Sequence, residues 1–204
     1  MKSAKAMKGL HRELIFKRRV RVLADWLARL PDKHSTILDV GCGDGLVDHL
    51  ILQRRPDLTI NGIDVMIRPY TWVPVLEYNG KILPLDDNSR DYVMLVDVLH
   101  HLDSPEQLLR EACRVARKGV ILKDHARAGL LAAPTLRFMD WVGNASHGVI
   151  STYNYWTQER WQQAFGELGL KPTYWLTRLK LYPFPFSLLF DRSLHFIARL
   201  EFSA

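Results

Sequence analysis

The segment Ile37-Leu38-Asp39-Val40-Gly41-Cys42-Gly43-Asp44-Gly45 decides how the chain is read. Thr36 to Val40 is a short apolar run, which reads as a buried parallel strand. Three glycines at alternate positions follow it, and then Leu46, Val47, Leu50 and Ile51 recur at helical spacing. Glycines let the backbone turn sharply and let a ligand come close. A loop between a strand's carboxyl end and a helix's amino end is where open α/β sheets bind ligands. The plainer alternative is a tight strand-to-helix turn with no ligand. Leu46 stands where the dinucleotide pattern needs its third glycine, and the helix starts too early to cradle a pyrophosphate well. That favours a nucleoside without phosphates. Asp64 ends the next strand-like run, 58–64, where an acid can accept hydrogen bonds from both ribose hydroxyls.

Outward from this loop the pattern alternates. A helix is expected over residues 10–30, with Val22, Leu23, Trp26, Leu27 and Leu30 on one face and Arg18, Arg21, Asp25 and Arg29 on another. Residues 73–78 read as a weaker strand, placed at a start or edge by Pro74. Residues 91–97 read as a buried strand. Ser104, Pro105 and Gln107 predict a capping box opening a helix that ends at Lys118 and Gly119, with a fifth strand over 119–124. An extra helix over 127–142, a helix over 157–168 and two late strands over 171–180 and 194–201 complete the reading. The prolines of 181–190 exclude a regular helix interior there. Such alternation predicts a layered α/β sheet with parallel strands joined by right-handed crossovers. No linker divides residues 1–204, so one domain is expected.

The glycine segment, N-G-I-D (61–64) and the stretch L-P-L-D-D-N-S-R-D-Y-V-M-L-V-D-V-L-H-H-L-D-S-P-E-Q-L-L-R-E-A-C-R-V-A-R-K-G (83–119) together resemble class I S-adenosylmethionine-dependent methyltransferases of the small-molecule type, with V-L-H-H after the fourth strand. The resemblance is dense over 35–125 and loose over 157–201. It implies a Rossmann-like three-layer sandwich, whose mostly parallel seven-stranded sheet has its last strand antiparallel. It implies S-adenosyl-L-methionine as cofactor. Asp39, Gly41 and Gly43, with Cys42 between them, would lie against its methionine part. Asp64 would bind the ribose, Val65 and Met66 would pack on adenine, and Asn79 and Gly80 would meet the adenine edge. Asp97 and Val98 would flank the methionine. Family members often carry Asp where Asn79 stands, and an aromatic in place of Leu85 and Arg90.

The donor is already activated, so the protein must align a nucleophile, exclude water and often remove a proton. The candidate base is His125, oriented by Asp124. His100 and His101 read as packing residues, and Asp124 as a brace for the following loop is the competing reading. No metal is expected, since these residues match no recognised ligand spacing. Residues 126–157, with Phe138, Trp141, Asn144, His147, Tyr153, Asn154, Tyr155 and Trp156, are the expected acceptor-site cover. The sequence leaves three roles open for 181–190: closing the site, touching a lipid-like substrate, or forming a homodimer interface.

Composition sets limits on partners. The chain has 204 residues and a net charge of +6. Residues 1–30 carry nine Lys or Arg against Glu13 and Asp25, and the other 174 residues net −1. A solvated basic helix is the plain reading of this arm; phosphate or anionic lipid is the other. Cys42 and Cys113 form no framework, and no membrane span or secretory signal is evident, so a cytoplasmic protein is expected. The expected function is methyl transfer to a small organic acceptor. The alternatives are an RNA or other nucleic-acid methyltransferase using the basic arm, or a non-catalytic cofactor-binding scaffold. The nucleic-acid reading is disfavoured because neither an N-P-P-Y-like element nor a Pro-Cys nucleophile is present.

Overall fold

The computed structural model describes the backbone of residues 2–144 and 154–203 and the side chains of residues 15–139 and 154–203. The strands are β1 (Thr36–Val40), β2 (Thr59–Asp64), β3 (Val75–Glu77), β4 (Arg90–Val96), β5 (Ala116–His125), β6 (Leu170–Leu176) and β7 (His195–Phe202). They form one sheet in the order β3-β2-β1-β4-β5-β7-β6. The pairings of β1 to β5 are parallel, and β7 runs antiparallel to both β5 and β6. This is the three-layer arrangement with a reversed last strand. The sheet order reverses direction beside β1, so the glycine loop after Val40 lies at the topological switch point.

Helices cover both faces. The α1 (Lys2–Leu27) and α2 (Leu46–Arg54) helices contribute Leu23, Leu27 and Ile51 to a core that contains Ile37, Ile60, Tyr92, Met94, Ile121 and Ile197. The α3 (Pro105–Val115) and α5 (Gln158–Glu167) helices place Leu109, Ala112, Trp161 and Phe165 on the opposite core, with Leu38, Val40, Val93, Leu95, Val120 and Leu122. Successive strand residues thus feed alternate cores, as a pleated strand buried on both sides requires. The α4 (Ala132–Asn144) and α6 (Ser187–Phe190) helices lie against each other outside this sandwich.

Several boundaries differ from expectation. The α1 helix starts at Lys2 rather than near residue 10. Ser104 is the N-cap of α3, but its side chain makes no cap bond, so the capping box is not formed. The helix ends at Val115, and Lys118 and Gly119 lie inside β5. Gly119 serves packing: a Cβ there would stand 1.9 Å from the Leu200 carbonyl oxygen on β7. Thr157 does cap α5, its hydroxyl accepting from the Arg160 N–H at 3.3 Å.

Beneath the glycine loop lies a carboxyl pair. Asp39 at the end of β1 and Asp48 in the first turn of α2 are both buried. Burial pushes Asp39 well above the ordinary carboxylate range, and the adjacent Asp48 pushes it further. Burial raises Asp48 to about 7. The pair therefore holds a proton in the folded chain that an unfolded chain releases near pH 4.

Two outcomes follow. The alanine of Gly119→Ala must displace β7, so it should cost about 1–3 kcal/mol in denaturant unfolding. A carboxyl with a raised folded-state value stabilises the fold least once it is forced to ionise. Wild-type stability from this pair is therefore lost as pH rises from about 4 toward 7. Asp48→Asn removes one ionisation and should gain on the wild type over that same window, by about 4 kcal/mol at its alkaline end. Urea midpoints of the two proteins at mildly acid and mildly alkaline pH measure it; a difference that does not change with pH contradicts the shared proton.

Candidate functional site

The glycine loop leaves β1 through Gly41, whose φ is 77° and whose N–H donates to the Ile63 carbonyl at 2.7 Å. A Cβ at Gly41 would meet Val98 Cγ2 at 2.6 Å, so only glycine lets the turn after β4 lie this close. Gly43 also has positive φ, and nothing lies within 4 Å of where its Cβ would be, which leaves open space above the loop. Asp64 binds the loop directly. One carboxylate oxygen accepts the Gly43 N–H at 2.8 Å, and the other accepts the Met66 N–H at 3.0 Å. Each oxygen keeps acceptor capacity.

The other expected contacts divide. Val65 and Met66 are exposed at the end of β2, and Val65 faces Gly80. The Asn79 amide oxygen is taken by the Lys81 and Ile82 N–H groups, so this residue shapes its own turn. The Cys42 thiol lies over Gly62 of β2, leaving the loop backbone as what Cys42 can offer a ligand. Burial and the nearby Asp39 raise that thiol far above its usual range, so it is no nucleophile.

Asp39, Asp48 and Asp64 surround the loop, and no ion pair to a basic side chain is found for them among the described residues. One oxygen of the buried Asp39 lacks a hydrogen-bond partner. Acidic groups, open space over Gly43 and a carboxylate one strand away suit a nucleoside that carries positive charge. The residues present fit S-adenosyl-L-methionine.

A second cluster occupies the ends of β4 and β5. Strand alternation sends Asp124 toward the α3 face, and Lys123 and His125 toward the α1 face. Asp124 is buried. It accepts the Leu99 N–H at 3.0 Å, the His125 N–H at 2.7 Å and a 2.6 Å bond from His100 Nδ1. Its nearest imidazole is therefore His100, on a short 3-10 turn (Leu99–His101), while His125 Nδ1 stands 3.5 Å away, too far for a good hydrogen bond. Through the Leu99 N–H, Asp124 braces the turn after β4 rather than the loop that follows β5. Burial raises the Asp124 carboxyl, but His100 and His125 outweigh it and hold it well below the ordinary range.

Lys123 is fully buried, with its ammonium on Asp97 and 3.3 Å from His195 Nδ1. Arg19 of α1 reaches the other Asp97 oxygen at 2.7 Å. Burial alone would raise Asp97; Lys123 and Arg19 outweigh it and keep it ionised. Asp97 also holds a φ of 58°, rare for a residue with a side chain. Burial, with the positive charges of His100 and Lys123, lowers His125 to about 4, so its ring is neutral near pH 7. Tyr155 stacks on His100 at 5.7 Å and meets His125 edge-on at 5.8 Å. Asn154 fastens this segment to the 3-10 turn through its N–H on the His100 carbonyl and its amide on the Leu102 carbonyl. Trp156 packs on Trp161 instead, and Phe138 faces Phe190 away from the cluster. The Trp141, Asn144, His147 and Tyr153 side chains lie outside the described residues.

One donor atom each from Asp97, His100, Asp124 and His125 lies within 4.8 Å of the others. Two ligands on one tetrahedral ion stand roughly 3.3 Å apart for bonds of about 2.0–2.1 Å. The 2.6 Å His100–Asp124 separation is a proton-sharing hydrogen bond instead. A cation could enter only by displacing that proton and the Lys123 contact with Asp97.

Sequence reasoning did not find Lys123, His195, Arg19 or the His100 pairing. The one available signal was Lys123 itself, a charged residue inside the apolar run V-I-L-K-D-H.

A methyltransferase-domain family model matches residues 15–174. No curated protein matches. Among solved structures, a chain from the Haloferax volcanii complex of the Trm112 methyltransferase activator with a protein assigned as a methyltransferase is 16% identical, covering 98% of this chain and 97% of that one at a TM-score of 0.67. Geranyl diphosphate C-methyltransferase from Streptomyces coelicolor A3(2) is 13% identical over 88% of this chain and 79% of its own, at 0.65. An S-adenosylmethionine-dependent methyltransferase from Mesorhizobium loti is 17% identical over 87% and 97%, at 0.63. With the seven-stranded order, the reversed last strand and the acid-lined glycine loop, the match over most of its length shows that this chain belongs to the class I S-adenosylmethionine-dependent methyltransferases.

Proposed function

We propose that the chain methylates a small organic acceptor, at an oxygen, nitrogen or carbon nucleophile, over the ends of β4 and β5. The observation that carries this reading is the cluster of buried His100, Lys123, Asp124 and His125 with half-buried Asp97, whose neighbour Val98 packs on Gly41 of the glycine loop. Bound S-adenosyl-L-methionine supplies a methyl group activated by its positively charged sulfur.

The chain's own residues supply the rest. Asp39 and the Gly41–Cys42–Gly43 backbone receive the methionine end, Asp64 holds the ribose, Val65, Met66 and Gly80 border the base, and Asp97 and Val98 flank the methionine. Asn79 contributes by shaping the turn before Gly80. Fixing donor and acceptor in line can supply about 7–11 kcal/mol of the barrier. His125, neutral at rest, accepts the acceptor's proton. The Asp124 and Asp97 oxygens, 3.5 and 3.7 Å from its Nδ1, stabilise the imidazolium that results. His100, fixed by Asp124, holds the His125 ring at 4.4 Å between centroids. Tyr155 and the packed rings around it exclude water, which strengthens every charge interaction inside. The +7 charge of residues 1–30 is partly spent here, since Arg19 points inward to Asp97.

Calorimetry with S-adenosylhomocysteine should show binding that Asp64→Ala weakens by about 1.5–3 kcal/mol, the worth of a charged acceptor. Binding of NADH in its place would overturn the reading. His125→Ala should leave that affinity unchanged and lower kcat by about 10²–10⁴-fold for the acceptor found by screening labelled donor against a metabolite extract. Equal loss of affinity and kcat would make His125 structural.

A further inference from the structure

The face built by α4 and α6 leaves large apolar side chains in solvent. Leu130, Leu131 and Phe138 project from the start and outer side of α4, while Ala132 and Leu136 are buried beneath. Phe184, Leu188 and Leu189 project from the segment that carries α6. Phe138 and Phe190 stack at 6.4 Å, and Arg192 bridges the two elements through the Thr135 hydroxyl and the Leu189 carbonyl, so the six side chains belong to one surface. Exposed apolar area of this extent marks an interaction site.

The rim of that surface is positive. Residues 127–139 and 177–193 hold Arg127, Arg137, Arg178, Lys180 and Arg192 against a single acid, Asp191. Asp191 is directed inward, accepting the Leu181 and Tyr182 N–H groups. The basic helix adjoins the same edge, with an Arg18 guanidinium on the Lys180 carbonyl at 3.4 Å. Exposed Leu and Phe flanked by Arg and Lys are complementary to an anionic bilayer, whose phosphates take the charges and whose acyl boundary takes the apolar groups. No helix among the described residues is long and apolar enough to cross a membrane, so the contact would be peripheral.

A chain of packed rings connects this face to His125. Phe190 meets Tyr182 at 5.3 Å, Tyr182 meets His195 at 6.0 Å, and His195 meets His125 at 4.7 Å. The geometry points to the α4–α6 face as a docking surface for an anionic phospholipid bilayer, on the side of the molecule from which a lipid-like methyl acceptor would approach His125. The docking stands on the surface alone; the identity of the acceptor rests on the function proposed above.

Flotation of the full chain with phosphatidylcholine vesicles, with and without phosphatidylglycerol, tests it. Binding is expected only with the anionic lipid, and should weaken as salt is added. Phe184→Ser combined with Leu188→Ser and Leu189→Ser should cut binding about tenfold or more while leaving S-adenosylhomocysteine affinity and the melting temperature unchanged. Arg127→Glu with Lys180→Glu, which removes no apolar contact, should cut it about tenfold. Absence of binding to anionic vesicles, binding unaffected by both variants, or a dimer that the serine variant dissociates with no vesicle binding would each overturn the docking surface. Loss of S-adenosylhomocysteine binding in the wild type would instead strike the methyltransfer reading, and the two failures are read in separate experiments.

Discussion

A buried ammonium is costly unless its charge is met, and Lys123 has no access to water. Asp97 meets it, and that single requirement ties four elements together. Lys123 is on β5, Asp97 follows β4, Arg19 comes from α1, and His195 opens β7. Removing one partner of such a pair costs about 3–5 kcal/mol, because the other charge stays buried and alone. An apolar pair of the same volume would hold the sheet as well or better. What the pair does place is an ionised carboxylate and a lysine lowered by burial beside a neutral imidazole.

The two halves of the site differ in electrostatic character. Around the glycine loop Asp39 and Asp48 lie near Asp64, and the cost of burying Asp39 and Asp48 is met by holding a proton. Around β4 and β5, Asp97 is held below the ordinary carboxylate range chiefly by Lys123 and Arg19, and Asp124 chiefly by His100. The first environment suits a cationic ligand, and the second holds the His125 imidazole neutral near pH 7.

The sequence made the donor half legible and the acceptor half only partly so. Glycine spacing and the acid at 64 are local features, and the β1–loop–α2 unit follows them residue for residue. The alternation of strands and helices was legible because parallel strands need crossovers and the helical faces were clear, whereas the order of strands across the sheet has no local signature. The His100–Asp124 bond was not, because 24 residues separate its ends and only the pleat of β5 decides which face Asp124 takes. That alternation was available in K-D-H, and it assigns Asp124 and His125 to opposite faces before any contact is known. Arg19 was masked by the charge of its surroundings, since one inward arginine among nine basic residues has no local signature. Gly119 resembled a helix stop, although the constraint on it comes from Leu200, far along the chain.

The two halves are also mechanically joined. Asp97 takes its left-handed backbone while its N–H continues the ladder to the Lys123 carbonyl at 2.8 Å. A non-glycine residue in that conformation costs on the order of 1–3 kcal/mol and persists only where its neighbours over-determine it. Here the Lys123 and Arg19 contacts do so. The turn that results sets Val98 against Gly41, at a distance that admits no Cβ. Asp97 thus links the Arg19 and Lys123 charges to the position of Val98, and through Val98 to the entrance of the glycine loop at Gly41.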